Sequence, residues 1–110
     1  MSIKLNDENI RFEVSTYVYG GGLAICMWCD DGPFATLTVN LEDERTSGPN
    51  CQFVDTNNLG HLDIMNWIVV NNLGEETGNV GFSGYCMYPE VRFNLEEINK
   101  HLQGEQNGTL

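Results

Sequence analysis

From Leu59 to Leu73 the chain repeats apolar residues at steps of three and four. Leu62, Met65, Val69 and Leu73 mark the repeat, and Ile64 and Ile68 widen the same side. That is the period of an amphipathic helix with one broad face to bury. Asn57 and Asn58 offer side-chain oxygens to cap its start, and Gly74 stands where a left-handed residue would end it. Val69 and Val70 are weak helix formers, and an isolated helix of this length is marginal in water. The helix therefore needs a surface to lie on, and the segments before it read as the strands that supply one.

Ile10 to Val18 alternates, with Ile10, Phe12, Val14 and Val18 on one side and Arg11, Glu13 and Ser15 on the other. This is the pattern of a strand with one wet face. Gly20, Gly21 and Gly22 break it. Leu23 to Cys29 is apolar at nearly every position, as in a strand central to its sheet. Asp30-Asp31-Gly32-Pro33 is a turn signal, which makes Leu23–Cys29 and Phe34–Leu41 the arms of a hairpin. In the second arm Ala35, Leu37, Val39 and Leu41 are expected to face the core, and Thr36, Thr38 and Asn40 to face out.

Glu42 to Asn50 is a polar loop, and Cys51–Val54 a short strand leading into the helix. Residues 74–84 are glycine-rich with little periodicity and read as a long ordered loop. Tyr85 to Phe93 holds a further strand, with Pro89 arguing for an edge position or a bend. Asn94-Leu95-Glu96-Glu97 resembles a capping box, opening a short helix over Leu95 to Gln103 that buries Leu95, Ile98 and Leu102. The ends, 1–8 and 104–110, are expected to fray. The expected fold is one α+β domain over residues 1–110. It has an antiparallel sheet of four to five strands, one main helix on one face and a short C-terminal helix.

Sixteen acids against five bases give a formal charge of -11 and a pI near 4.2. Such a surface repels nucleic acid, which is bound through Lys and Arg, and attracts basic proteins. At 41% hydrophobic residues, the chain has enough apolar content for a core. No apolar run is long enough to cross a bilayer. The start MSIKLNDENI lacks the pattern of a signal peptide, so a cytosolic location with reduced Cys26, Cys29, Cys51 and Cys86 is expected.

Several motifs invite chemistry and fall short of it. Cys26-Met27-Trp28-Cys29 has the CxxC spacing, but a zinc site needs a second pair or histidines. In a strand, positions three apart point to opposite faces. His61 and His101, the only histidines, sit in no triad pattern, and Gly81-Phe82-Ser83-Gly84 is not a nucleophile elbow. The run Gly74–Gly84 lacks the lysine of a phosphate loop and carries Glu75 and Glu76 instead. Asp55-Thr56-Asn57-Asn58 has too few carboxylates for a calcium loop. No catalytic residue, metal site or cofactor site is assigned.

What remains are acidic clusters and aromatics. Asp30-Asp31, Glu42-Asp43-Glu44 and Glu75-Glu76 fall in expected turns and loops, and Phe82, Tyr85 and Tyr88 cluster further on. Two uses are open: a distributed negative face that imitates DNA phosphates, or an aromatic contact surface that also draws on Trp67.

Asp31-Gly32-Pro33-Phe34-Ala35-Thr36-Leu37-Thr38-Val39-Asn40-Leu41, Phe53-Val54-Asp55-Thr56-Asn57-Asn58 and the stretch Gly74 through Phe93 resemble a family of small, uncharacterised domains. Its members are encoded by phages and conjugative elements of bacteria, and the likeness covers most of residues 10–94. No activity comes with the family, so no catalytic residue is carried over. The resemblance implies a genomic context in which small acidic proteins inhibit host defence as DNA mimics. The expected function is a non-enzymatic inhibitor, an anti-CRISPR, in the cytoplasm of a bacterial host. Its partner would be a basic protein such as a CRISPR effector or restriction subunit, with no direct contact to nucleic acid or membrane. The alternative is a structural or regulatory accessory protein of the mobile element.

Overall fold

The clean alternation after Ile10 and the apolar run at Leu23 set the centre of a first sheet. In the computed structural model, which describes residues 2–104, its strands are β1 (Ile3–Leu5), β2 (Glu8–Thr16), β3 (Leu23–Cys29) and β4 (Gly32–Thr36). They run antiparallel in the order β1-β2-β3-β4, which places the apolar β3 inside as its composition requires. The second arm of the expected hairpin does not continue as one strand. It breaks at Leu37, and Thr38–Val39 forms β5 at the edge of a second antiparallel sheet. That sheet is completed by β6 (Cys51–Val54), β7 (Gly74–Ser83) and β8 (Cys86–Phe93) in the order β5-β6-β8-β7.

Leu37 is the joint between the sheets. Its N–H donates to the Ile25 carbonyl of the first sheet at 2.9 Å, and its carbonyl accepts from the Asp55 N–H at 3.0 Å. Crossing the joint shifts the alternation, so Leu37 and Thr38 are both buried and Thr38 faces in rather than out. The Thr38 hydroxyl is satisfied there by the Ile25 N–H at 3.1 Å and Tyr17 Oη at 2.8 Å. The architecture is α+β and mostly strand, with two four-stranded sheets in place of the single sheet expected.

The main helix is shorter and broken. Thr56–Leu59 (α1) and a 3-10 turn at Gly60–Leu62 lead to Asp63 at φ 53°, and only then does Ile64–Val70 (α2) begin. The left-handed Asp63 resets the helical phase. The buried face is therefore Ile64, Trp67 and Ile68, while Val69 and Val70 are exposed. Asn57 and Asn58 lie inside α1 and Asp55 takes the cap position. The helix is stopped by the left-handed Asn72 at φ 59°, and Gly74 instead starts β7. There a Cβ would stand 2.5 Å from Val91 Cγ1 and 2.8 Å from the Arg92 carbonyl. Strand pairing, not a helix stop, demands the glycine.

Residues 74–84 are thus not a loop but mostly one strand, paired with β8 in a hairpin turned at Gly84 and Tyr85. Its register slips between Glu76 and Val80, where Thr77-Gly78-Asn79 bulges. Pro89 sits inside the sheet opposite Val80, beside that irregularity, where its missing N–H is tolerated.

The core fills the space between the sheets. Ile10, Phe12, Ile25 and Met27 of the first sheet meet Val54, Val91 and Phe93 of the second, with Ile64, Trp67, Ile68 and Ile98 closing the side. The Phe12 and Trp67 rings lie 6.1 Å apart at 50°, and Trp67 Nε1 donates to the Lys4 carbonyl. This bond and the burial of Leu5 fix β1, so the expected fraying of residues 1–8 does not hold for residues 3–5. Val18 leaves its strand and is exposed in the glycine loop. The C-terminal helix is α3 (Leu95–Ile98) plus a 3-10 turn at Asn99–His101, and Asn94 Oδ1 caps it by accepting from the Glu97 N–H at 3.3 Å. The expected frayed segment 105–110 and Met1 lie outside the described residues.

Candidate functional site: an acidic loop beside a hairpin tip

Loop 40–50 joins β5 to β6 of the second sheet and carries Glu42, Asp43 and Glu44. Besides a long bond from Asn79 Nδ2 to the Arg45 carbonyl at 3.4 Å, three hydrogen bonds tie it down. Asn40 Nδ2 donates to the Tyr19 carbonyl at 3.1 Å, Glu44 Oε2 accepts from the Phe82 N–H at 2.9 Å, and the Ser47 N–H donates to Glu90 Oε2 at 2.7 Å. Leu41 anchors the loop from below, packing with Phe53 and Tyr88 in a small second core on the far face of the β5-β6-β8-β7 sheet. Gly81 makes this packing possible, since a Cβ there would stand 2.6 Å from Leu41 Cδ1 and 2.9 Å from Phe53 Cε1.

Glu90 is the polar anchor and is fully buried. Its carboxylate accepts from Ser47, from the Thr77 hydroxyl and, at 3.4 Å, from Asn79 Nδ2. Burial pushes this carboxyl up, and the donors of Ser47, Thr77 and Asn79 outweigh it, so Glu90 ionises below its ordinary 4.5. A charge buried among neutral donors clamps the acidic loop to the bulge of β7. Only its place among Tyr88, Val91 and Phe93 could have hinted at this from the sequence.

Two shallow clefts flank the loop. One of about 530 Å³ lies between Tyr19, Gly20 and Gly22 on one side and Glu42, Glu44 and Arg45 on the other. The second, about 410 Å³, runs from Asn40–Asp43 to Phe82, Ser83 and Gly84. The structure thus brings Glu42, Asp43 and Glu44 together with Phe82. Glu42 and Asp43 are exposed and form no ion pair among the described residues.

The other candidate residues do not converge here. Asp30 is at the β3–β4 turn of the first sheet and is engaged by Asn9 at 2.9 Å and Arg11 at 3.2 Å. These bonds hold its carboxyl below the usual range. Asp31 beside it is exposed. Glu75 meets Arg92 at 3.7 Å, and Glu76 is exposed and lies about 13 Å from Phe82 along the sheet, since their β8 partners Val91 and Met87 are four residues apart. The acids form three separate patches.

Among the aromatics, Phe82 is 55% exposed and Tyr85 stands free at the turn, but Tyr88 is 8% exposed and Trp67 equally buried, both within cores. Beside Phe82 on this hairpin, Val80 and Met87 are further exposed apolar residues that the sequence concealed. Periodicity could have shown them only if the stretch had been read as a strand.

All four cysteines are free, with Cys29 and Cys51 buried. Among the described residues no group of three or more His, Cys, Asp or Glu side chains could hold a metal ion. His101 is buried, with Nε2 3.4 Å from Glu97 Oε2. No helix among the described residues is long and apolar enough to cross a membrane.

Fold and site together define a small α+β domain of two antiparallel sheets, with an acidic loop pinned against a hairpin. The chain belongs to a family described as a domain of unknown function, DUF4313, whose model matches residues 11–107. No curated protein and no solved structure matches it.

Proposed function

We propose that this chain is a non-enzymatic acidic inhibitor of a host nucleic-acid-binding defence protein, carried by a phage or conjugative element and acting as an anti-CRISPR. Glu42 and Asp43 would take the place of phosphates in the partner's cationic groove. The observation that carries this reading is their placement: two exposed, unpaired carboxylates on a loop that Glu90, Glu44 and Leu41 hold in a fixed position. A fixed charge loses little freedom on binding, and a net charge of -11 speeds encounter with a basic surface. Because the acids form three patches, the mimicry is local to this loop and does not extend over the whole domain.

The test is capture of partners from bacterial lysate at low and high salt, followed by competition with DNA. A nucleic-acid-binding partner that is released by salt and by DNA, and is captured poorly by the Glu42→Lys, Asp43→Lys variant, is the expected result. Capture that is indifferent to salt, DNA and these substitutions would overturn it. The accessory-protein reading has its own observation in its favour, the exposure of Phe82 and Tyr85, and it predicts that salt-resistant outcome.

A further inference from the structure

Two loops from different sheets line one cleft. The tip of the β2–β3 hairpin supplies Tyr19, Gly20 and Gly22, the acidic loop supplies Glu42, Glu44 and Arg45, and buried Gln52 lies between them. The Tyr17 N–H donates to the Gly22 carbonyl at 2.8 Å, closing the tip around Gly20 and Gly21, both at positive φ. Asn40 Nδ2 holds the Tyr19 carbonyl at 3.1 Å, so the tip and the start of the acidic loop are fastened to each other. Gly22 lets the tip come this close, since a Cβ there would stand 2.8 Å from Gln52 Nε2. The Tyr19 backbone is thus fixed while the residue is 80% exposed.

The carboxylates of this cleft are not neutralised from within. Glu42 forms no ion pair among the described residues, and Arg45, on the same wall, pairs with neither acid. Glu44 spends Oε2 on the Phe82 N–H, which leaves Oε1. An aromatic ring facing carboxylates across a cleft is the chemistry that holds a guanidinium. Its plane is attracted to the ring face while its N–H groups donate to the acids.

We infer that this cleft takes an arginine side chain of the partner, with Tyr19 against the guanidinium and Glu42 and Glu44 accepting from it. The inference rests on the proposed function and names the partner's contact residue. Charge complementarity selects the occupant, because ring and carboxylates line the same cleft. Arg45 opposes the incoming cation, but one base against two acids leaves the cleft negative. A phosphate would seek Arg45 instead, so substituting Arg45 separates the two occupants.

The test is an NMR titration of the full chain at low salt with the blocked peptide acetyl-Gly-Arg-Gly-amide. Its citrulline counterpart, which keeps the shape and lacks the charge, is the control. The expected result is amide shifts confined to residues 19–22 and 40–46, saturating at millimolar arginine peptide and absent with citrulline. Tyr19→Ala and Glu42→Gln should each weaken binding about two- to fivefold, and Arg45→Gln should tighten it. All three residues are exposed, and spectra unchanged away from the cleft would verify that the variants fold. No shifts, equal shifts with citrulline, shifts centred elsewhere, or binding indifferent to Tyr19→Ala overturns the site. Inorganic phosphate that moves these amides in the wild type but not in Arg45→Gln, with the arginine peptide silent, would make the cleft an anion site and refute the arginine. A lysate partner lost from Glu42→Lys, Asp43→Lys but kept by Tyr19→Ala would retain the proposed function and refute the cleft's part in it. Arginine-peptide binding with no nucleic-acid-binding partner captured would retain the cleft and refute the inhibitor.

Discussion

Replacing Glu90 tests whether a buried charge holds the acidic loop in place. Its carboxylate receives three hydrogen bonds, from Ser47, Thr77 and Asn79. Bonds to a charged acceptor contribute about 1.5–3 kcal/mol each when all partners stay dry. Ser47 is exposed and Thr77 and Asn79 are half-buried, so water can satisfy part of what is stranded, and removing the charge also relieves its desolvation. For Glu90→Ala we expect a loss of about 2–4 kcal/mol. Glu90→Gln keeps an oxygen for the Ser47 N–H, and the Thr77 hydroxyl can turn to accept from the new amide, leaving a loss of about 1–2 kcal/mol.

The pH dependence gives this a sign. The folded Glu90 carboxyl ionises below the ordinary 4.5, so its stabilisation is complete above that value and is lost as pH falls through the folded pKa. Urea unfolding should therefore show wild type above Glu90→Gln near pH 7, with the gap closing in acid below about pH 4.5. Trypsin should also cut faster after Arg45 in Glu90→Ala, because that loop loses its clamp. A Gln variant as stable as wild type at neutral pH, or a gap that persists unchanged in strong acid, would show that Glu90 is not held as a buried anion.

Gly81→Ala forces a Cβ against Leu41 and the immobile Phe53 ring, and should cost about 1–3 kcal/mol in chemical denaturation. Ile68→Ala should cost about 2–5 kcal/mol and Val69→Ala under about 1, since Ile68 is fully buried and Val69 half exposed; equal losses would contradict the phase set by Asp63. Asp30→Asn should lower the thermal midpoint slightly and leave partner binding intact, because Asp30 serves Arg11 and Asn9. Asp43→Asn should do the opposite, slowing association in a surface-binding assay without changing the midpoint.

The sequence by itself determined the charge, the strands whose patterns are local and the existence of a helical segment near Ile64–Val70. Leu23–Cys29 and Cys51–Val54 coincide with strands because β-branched and apolar runs bounded by turns leave few other choices. The Asn94 cap was also legible, since its partner is only three residues away. What eluded local reading depended on distant partners. Gly74 and Gly81 look like loop residues until Val91, Leu41 and Phe53 are brought against them. The helix loses its expected phase at Asp63, a backbone conformation that periodicity does not encode.

For the site, the sequence supplied Glu42, Asp43, Glu44 and Phe82 as isolated candidates. Only the tertiary structure decided that they adjoin, that Asp30 and Glu75 lie elsewhere with cationic partners, and that Tyr88 is buried. Composition fixes how many acids a chain carries. Which of them share a face is set by contacts between residues far apart in sequence, as between Glu44 and Phe82, 38 residues apart, or Ser47 and Glu90, 43 apart. The exposed Phe82–Met87 pair exists because one sheet turns opposite faces to two cores, a choice made by packing.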